Sequence, residues 1–312
     1  MRLVSYGHLG SECAGFLDGD KVFDLEQAMK VTGAEKPVSD IRLFLEQPDW
    51  RSTLDRAYAA RSKLLPAAPS RIGAPVPVPR TLIIAGANTK SHIAEAGAVL
   101  GETVGPREPM LLAKATSSIC GPTDDIIYPP ETRKLDYEVE LAVVMGRKAR
   151  RIAEKDVGDY VAGFTVSNEV SARDIQLAEH EQNPFFRTHY IGKSFDTFCP
   201  LGPYIVTADE IPDAQNLAMR LRVNGKTRQE SHTSKMSVTI PEIVAHYSPM
   251  GYSAGDVLST GTVSGVAGFS DDPKSLYLKP GEIVECEIEK IGVLRNPVVS
   301  YKEMQGGKSV TA

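Results

Sequence analysis

Two glutamates, Glu138 and Glu140, stand at alternate positions of a segment that continues as Leu-Ala-Val-Val-Met145. Successive side chains of a strand point to opposite faces, so these carboxylates share a face, with Cα atoms roughly 6–7 Å apart. Such a pair is typical of a solvated edge strand, but the apolar continuation favours a strand buried on both sides. Buried carboxylates repel each other, so either one binds a proton or a cation lies between them. Oxygen ligands without a neighbouring His or Cys favour a hard ion, namely Mg²⁺, Mn²⁺ or Ca²⁺.

A third carboxylate, Glu169, falls where a predicted strand passes into a predicted helix. Arg173 and Gln176 follow at +4 and +7, and these offsets stay on roughly the same face of a helix. The three side chains can therefore look into one pocket. The alternative is a helix N-terminus that carries acids for the helix dipole, together with an ordinary surface arginine.

A histidine and a glutamate, His92 and Glu95, stand three positions apart in a segment with a helical pattern. Side chains at i and i+3 of a helix are neighbours and can form a hydrogen bond. A carboxylate beside an imidazole selects its tautomer and raises its basicity, which makes a pair able to activate water. The same spacing also describes a solvent-facing pair near a helix start, so the spacing leaves both interpretations open.

The segments that position these side chains fall into two parts separated by a proline-rich connector. Residues 16–23 predict a hairpin with Asp18-Gly19 at its turn, and residues 26–65 have a helical pattern. Five prolines in residues 66–79 forbid a helix and favour an extended connector. We therefore predict a small N-terminal α+β domain at residues 1–70 and a larger catalytic domain at residues 71–312.

The larger domain is predicted to be rich in strands. Short apolar segments alternate with Gly, Pro, Asn and Asp turns, and helices are predicted only after Asn88, at 154–160, after Ser171 and at 240–246. The sequence has no βαβ rhythm. We therefore predict a β-rich α+β fold and exclude a Rossmann fold or a TIM barrel.

Composition and missing motifs exclude several classes of function. The net charge is −5 and no basic stripe is interleaved with aromatic residues, so we expect no nucleic-acid partner. Apolar runs are far shorter than the roughly 18 residues of a membrane span, and the N-terminal segment lacks the features of a signal or transit peptide. We expect no membrane association and a cytoplasmic location. The four cysteines have no metal-site spacing, and motifs of nicotinamide, nucleotide-phosphate and serine-triad sites are absent.

Seven motifs follow one another within residues 80–302. They are Asn88…His92…Glu95, Met110-Leu-Leu-Ala-Lys114, Leu135-Asp-Tyr-Glu-Val-Glu-Leu, Asn168-Glu-Val-Ser-Ala-Arg-Asp-Ile-Gln176, Gly192-Lys193-Ser-Phe-Asp196-Thr-Phe, Thr260-Gly-Thr262-Val-Ser-Gly265 and Ile291-Gly-Val-Leu-Arg-Asn-Pro297. Their order and content resemble the fumarylacetoacetate hydrolase family. The Tyr-Glu-Val-Glu-Leu and Ser-Ala-Arg-Asp-x-Gln motifs are specific to it.

The resemblance implies a fold, an assembly and a role for each site residue. The fold is the mixed β-roll of the family, and the assembly is a homodimer. The implied residues are the metal ligands Glu138, Glu140 and Glu169 for Mg²⁺ or Mn²⁺, the water-activating dyad His92 and Glu95, the catalytic Lys193, and the substrate-binding Arg173, Gln176 and Thr262. The family usually has Asn-Asp where this chain has Asn168-Glu169, so the third ligand carries one extra methylene. Residues 177–191 are longer than in compact members and shape either the substrate pocket or a surface loop.

The resemblance also implies a reaction, with alternatives. The first prediction is a metal-dependent hydrolase that cleaves a C–C bond of a 2-keto or 1,3-diketo acid, such as an acylpyruvate or a fumarylpyruvate. A metal-stabilised enolate and a water activated by His92 and Glu95 would perform that cleavage. The same site supports an isomerase, decarboxylase or lyase of a related oxo- or hydroxy-dienoic acid. A third possibility is a divalent-ion-dependent protein that only binds small acids.

Overall fold

The computed structural model describes residues 1–100, 109–177 and 189–307. The strands are β1 (Arg2–Tyr6), β2 (Cys13–Asp18), β3 (Lys21–Asp24), β4 (Ile72–Gly73), β5 (Leu82–Gly86), β6 (Met110–Ala113), β7 (Ile119–Cys120), β8 (Ile126–Tyr128), β9 (Leu135–Asp136), β10 (Val139–Met145), β11 (Val161–Asn168), β12 (Ser171–Ala172), β13 (Cys199–Thr207), β14 (Ala218–Val223), β15 (Lys226–His232), β16 (Val257–Ser259), β17 (Ile283–Ile288) and β18 (Gly292–Ser300). The helices are α1 (Leu25–Val31), α2 (Ile41–Leu45), α3 (Trp50–Ala59), α4 (Lys90–Leu100), α5 (Arg173–Gln176), α6 (His189–Lys193), α7 (Ile240–Tyr247), α8 (Pro273–Leu276) and α9 (Tyr301–Gly307).

Two large sheets dominate the fold. The first has the strand order β3-β2-β1-β13-β11-β10-β16-β5-β6, with β4 paired to β1 and β7 to β13. The second has the order β15-β14-β17-β18-β8, and a short ladder joins β9 to β12. Most neighbours are antiparallel, whereas β5 pairs with β16 in parallel. The β-rich α+β class predicted from the sequence is confirmed.

The N-terminal segment forms the predicted hairpin and helices. Strands β2 and β3 pair with Asp18 opposite Lys21, so the turn is Gly19-Asp20, one residue later than the predicted Asp18-Gly19. A backbone φ of +60° at Gly19 suits a residue without a side chain. Strand β1 pairs with β13 as well as with β2, so the N-terminal strands extend the same sheet as the central strands. The domain division at residue 70 stays a prediction.

The strand that carries Glu140 lies inside the first sheet. Strand β10 is flanked by β11 and β16, and every residue of it is buried. This position excludes the solvated-edge interpretation of the paired glutamates. The predicted continuous strand is interrupted at Tyr137-Glu138, because Leu135 and Asp136 pair with β12 and not with β11.

The predicted helices of the larger domain are present, with one change of type. Helix α4 follows Asn88, α5 follows Ser171 and α7 covers 240–247, whereas Glu154–Asp159 forms a 3₁₀ helix. No helix in the described residues is both long enough and apolar enough to cross a membrane.

Candidate active site

One cavity of about 290 Å³ gathers most of the predicted site residues. Its polar lining comes from His92, Glu138, Glu140, Arg173, Gln176, His189, Lys193 and Thr262. Its apolar lining includes Ile84, Leu112 and Phe269. These residues come from strands β5, β6 and β10, from helices α4 to α6 and from the loop after β16. The fold therefore brings together segments that are far apart in the sequence.

Glu138 is held by two cations. Its Oε1 accepts a hydrogen bond from Arg173 Nη2 at 2.6 Å, and its Oε2 accepts one from Lys193 Nζ at 2.8 Å. Burial opposes ionisation, but Lys193 and then Arg173 outweigh it, so the pKa of Glu138 lies well below its usual range. Glu138 is therefore an ionised carboxylate at the cavity wall.

Glu140 has no ion pair with a lysine or arginine in the described part of the chain. Its Oε2 accepts a hydrogen bond from the backbone amide of Gly261 at 2.7 Å. Gly261 adopts a φ of +101°, and a Cβ added there would lie 2.6 Å from Cβ of Asn88, so glycine is required at this donor. Burial, followed by repulsion from Glu169 and Glu138, raises the pKa of Glu140 well above its usual range.

Glu169 lies behind the cavity wall rather than in it. It follows β11 directly, at the predicted strand-to-helix junction. Its Oε2 accepts a hydrogen bond from Lys114 Nζ at 2.8 Å, and its Oε1 accepts from the hydroxyls of Ser167 (2.7 Å) and Ser259 (2.8 Å). Burial alone would raise the pKa of Glu169, but Lys114 outweighs it and the pKa is lowered. Both oxygens of this predicted metal ligand are already engaged.

His92 and Glu95 form the predicted pair on helix α4. His92 Nδ1 lies 3.3 Å from Glu95 Oε2, and Glu95 Oε1 accepts a hydrogen bond from the backbone amide of Gly265 at 3.0 Å. His92 is buried, and its ring packs 5.5 Å from that of Phe269 between centroids. These contacts exclude the solvent-facing interpretation. Asn88 anchors the start of the helix, because its side chain donates to the carbonyls of Val238 and Thr260.

Arg173 is fixed by carboxylates and an amide. Its Nε donates to Asp136 Oδ2 at 2.7 Å and its Nη1 to Gln176 Oε1 at 2.8 Å, in addition to the bond to Glu138. Asp136 also accepts hydrogen bonds from the backbone amides of Ala267 and Gly268 at 2.8 Å. This buried network excludes the interpretation of Arg173 as an ordinary surface arginine.

Thr262 is positioned by the strand beside it. Its hydroxyl donates to the carbonyl of Val139 at 3.0 Å and accepts from Gln229 Nε2 at 3.0 Å. Its carbonyl accepts a hydrogen bond from Thr89 Oγ1 at 2.8 Å. Thr262 therefore joins strand β10 to the N-terminal end of α4 at the cavity wall.

The charges of the buried cluster leave one carboxylate unbalanced. Within the described ranges, this cluster has four buried carboxylates and three buried cations: Asp136, Glu138, Glu140 and Glu169 against Lys114, Arg173 and Lys193. The geometry assigns the cations to the other three carboxylates. Glu140 is therefore the carboxylate of this cluster without a cation, so burial and then repulsion from Glu169 and Glu138 raise its pKa.

The donor set suits a hard divalent ion best at Glu140. Glu138 and Glu140 both line the cavity, but both oxygens of Glu138 already accept hydrogen bonds from Arg173 and Lys193. Glu140 is the buried carboxylate at which a cation would relieve repulsion. Glu169 is held by Lys114 and two serines. Within residues 1–100, 109–177 and 189–307, no group of three or more His, Cys, Asp or Glu side chains is arranged to hold a metal ion. The roles of the three glutamates as ligands stay predictions.

Sequence reasoning missed three members of the cluster: Lys114, Asp136 and His189. Asp136 stands two residues before Glu138, so the alternation that singled out Glu138 and Glu140 also signals Asp136. Lys114 ends the motif Met110-Leu-Leu-Ala-Lys114, but its partner Glu169 is 55 residues away. His189 belongs to the stretch 177–191, of which residues 178–188 lie outside the described residues.

Comparisons with known proteins extend over nearly the whole chain. Residues 81–299 match the family described as fumarylacetoacetate (FAA) hydrolase C-terminal. The chain is 43% identical over 258 residues to oxaloacetate tautomerase Fahd2a, mitochondrial, of Rattus norvegicus, which is 82% of this chain and 78% of the relative. It is 39% identical over 308 residues to oxaloacetate tautomerase FAHD2A, mitochondrial, of Bos taurus, which is 96% of this chain and 92% of the relative.

A solved structure with a similar fold carries a metal. It is the crystal structure of maleylpyruvate hydrolase from Sphingobium sp. SYK-6 in complex with manganese (II) ion and pyruvate. The TM-score is 0.74 and the sequence identity is 27%, covering 96% of this chain and 99% of that one. The predicted family fold is therefore confirmed.

The prediction of a hydrolase is wrong. The two relatives are oxaloacetate tautomerases, which isomerise their substrate and break no C–C bond. The error has a chemical reason. A His/Glu pair can activate water, but the same pair moves a proton to or from carbon equally well. The alternative reading, with an isomerase at the same site, agrees better with these relatives.

Proposed function

The chain belongs to the fumarylacetoacetate hydrolase family, whose members are enzymes that act on keto acids, and we propose that it is a tautomerase that interconverts the keto and enol forms of oxaloacetate or a close 2-keto diacid. The observation that carries the proposal is one cavity whose lining includes the histidine of a His/Glu pair and two fixed cations. His92 and Glu95 supply the pair, and Arg173 and Lys193 supply the cations.

To catalyse tautomerisation, a protein has to move protons and stabilise the charge of the intermediate. A proton leaves the carbon next to the ketone, and a proton is placed on the ketone oxygen, while the carbon skeleton stays intact. The enolate formed between these events carries negative charge on oxygen. A base near the carbon and cations near the oxygen are therefore the required groups.

His92 is the proposed base. Glu95 interacts with Nδ1 and is itself held by the amide of Gly265, so the ring orientation is fixed. Proton exchange with the substrate then falls to Nε2 of His92. Packing against Phe269 keeps the imidazole at the cavity wall, where water competes little for the same proton.

Arg173 and Lys193 are the proposed stabilisers of the enolate and carboxylate oxygens. Lys193 donates to Glu138 at 2.8 Å and approaches the carbonyl of Glu169 at 3.4 Å, which leaves one N–H for a substrate. Arg173 is held by three side chains, and among the described residues one N–H on each terminal nitrogen has no partner. Because both cations are already fixed by buried partners, they need little reorganisation when charge develops.

Glu138 and Glu140 would hold a divalent ion of the Mg²⁺ or Mn²⁺ kind, with Ca²⁺ as a further candidate, and such an ion would supply a Lewis acid for the keto-acid oxygens. The manganese and pyruvate of the maleylpyruvate hydrolase structure support this part of the proposal.

In the test, the enol of oxaloacetate is added to buffer that contains Mg²⁺ or Mn²⁺, with or without the protein, and its absorbance is followed. We expect the chain to speed the decay of the enol above the buffer rate, without a matching release of pyruvate. His92→Ala should lower the enzymatic rate by about 10²–10⁴, the usual loss of a general base. His246→Ala, an exposed histidine on α7, is the matched control and should keep the rate. A wild-type decay no faster than buffer with either metal would refute the proposal.

Two further proposals concern the whole protein. We expect a homodimer, which light scattering at working concentration measures. The relatives carry the word mitochondrial in their names, so they lend no support to a cytoplasmic location, which stays a prediction.

A further inference from the structure

His189 stands at the cavity with a buried nitrogen that forms no hydrogen bond with any described residue. It begins helix α6, which ends at Lys193 one turn later. His189 lines the cavity, and its Nε2 is shielded from solvent and has no hydrogen-bond partner among the described residues. Buried polar atoms in proteins are nearly always paired. An unpaired one on the wall of a ligand cavity therefore indicates a group that binds the ligand.

The hydrogen bonds around His189 determine which nitrogen carries the proton. Arg173 Nη1 can only donate, so the atom of Gln176 that faces it at 2.8 Å is the carbonyl oxygen. The amide nitrogen of Gln176 then faces His189 Nδ1 at 3.2 Å and donates to it. Nδ1 is consequently an acceptor without a proton, and the proton of the neutral ring is on Nε2.

The ring is neutral at physiological pH. Burial, followed by the positive charge of Lys193, lowers the pKa of His189 to about 4. The side chain therefore presents a single neutral N–H donor. Close packing holds it in place, because a Cβ added at Gly192 would lie 2.6 Å from Cα of Gln176, so α6 rests directly on α5.

The surroundings of this donor select the chemistry of its ligand. An N–H donor beside Arg173 and Lys193 suits an oxygen that carries negative charge, such as a carboxylate oxygen. Side chains at i and i+4 of a helix lie about 5–6 Å apart at Cβ. His189 and Lys193 are therefore spaced to bind the two opposite ends of a short diacid. Lys193 contacts Glu138, at the end where the keto group is proposed to bind.

We propose that His189 determines specificity for dicarboxylic keto acids by donating a hydrogen bond from Nε2 to the carboxylate remote from the keto group. This assignment rests on the proposed function, because it takes the keto end of the substrate to lie at Glu138 and Lys193. In this assignment, His189 is the residue that makes the site bind diacids more tightly than monoacids.

The experiment compares malate with lactate, which differ only by the second carboxylate. Calorimetry with the full chain and Mg²⁺ gives the dissociation constant of each. We expect the wild type to bind malate more tightly. His189→Phe keeps a ring but no donor, and it should weaken malate binding by about tenfold to a hundredfold, the usual worth of a hydrogen bond to a charged group, and leave lactate unchanged. His189→Gln keeps an N–H donor and should recover part of the malate affinity.

The outcomes separate this proposal from the proposed function. Equal weakening of malate and lactate in His189→Phe, no weakening of either, or a wild type that does not prefer malate would each overturn the role of His189. An absence of tautomerase activity together with the expected binding pattern would leave the role of His189 intact and remove the tautomerase proposal. Recovery by His189→Gln shows that the loss in His189→Phe comes from the missing donor rather than from misfolding.

Discussion

Replacement of Lys114 by Met should destabilise the protein far more than the loss of an ordinary lysine. The ammonium of Lys114 is fully buried between Glu169 (2.8 Å) and the carbonyl of Phe198 (2.6 Å). Methionine fills a similar volume but leaves Glu169 as a buried charge without a partner. Removing one member of a buried ion pair costs about 3–5 kcal/mol. At about 2 °C per kcal/mol for a chain of this length, the melting temperature should fall by about 6–10 °C.

The assay is urea unfolding in EDTA, so that no divalent ion replaces the missing cation. Lys148→Met, at an exposed lysine, is the matched control and should change the free energy of unfolding by less than about 0.5 kcal/mol. Adding Glu169→Gln to Lys114→Met removes the orphaned charge. The glutamine can still accept from Ser167 and Ser259, so more than half of the lost stability should return.

The pH dependence of the variant supplies an independent check. In the wild type the pKa of Glu169 is lowered, so its stabilisation is complete above the ordinary glutamate pKa and is lost only as the pH falls through the folded-state value. Without Lys114, burial dominates and raises that pKa. The deficit of Lys114→Met should therefore shrink as the pH falls from about 8 to about 5, by up to about 1.4 kcal/mol per pH unit. A loss below about 1 kcal/mol, or a double variant no more stable than Lys114→Met, would refute this reasoning.

Three further predictions concern the cavity and the helices beside it. The pKa of Glu140 is raised by burial and then by the neighbouring glutamates, so its ionised form destabilises the fold as the pH rises above the ordinary glutamate value. In EDTA, Glu140→Gln should therefore be more stable than the wild type at about pH 8 and equally stable near pH 4. Calorimetry should show that the variant binds Mn²⁺ more weakly than the wild type. A wild type that is more stable than the variant at about pH 8 would contradict this prediction. Gly192→Ala should lower the free energy of unfolding in urea by about 1–3 kcal/mol, because the added Cβ meets the backbone of Gln176. Gly158→Ala is the control and should not lower it, because that position has open space around it. Equal losses in the two variants would contradict the close approach of Gly192 to Gln176. Nitrogen NMR should find the proton of His189 on Nε2 in the wild type, and Gln176→Leu should shift it toward Nδ1; a wild-type proton on Nδ1 would contradict the hydrogen-bond assignment.

Several features follow from the sequence because they depend on local geometry. Alternation along a strand placed Glu138 and Glu140 on one face, and helical spacing placed His92 beside Glu95. Glu138, Glu140 and His92 line the cavity in the structure, and Glu95 lies 3.3 Å from His92. The motifs identified the family because their order and content do not depend on how the chain packs. The reaction did not follow, since proton transfer to carbon and activation of water use the same residue types.

Other features were decided only by tertiary structure. The partner of Glu169 is Lys114, and its oxygens face two serines, one of them 90 residues away. No local rule specifies such a pair, because it forms where burial forces a carboxylate and an ammonium to compensate each other. The proton on Nε2 of His189 likewise depends on a hydrogen bond from Gln176 of α5 to α6. The residues between these two helices have no sequence pattern that predicts this contact. The sequence alone determined which side chains are neighbours along one strand or one helix, because those spacings are fixed by local geometry. Packing decided which charges are balanced and which groups remain available for a ligand.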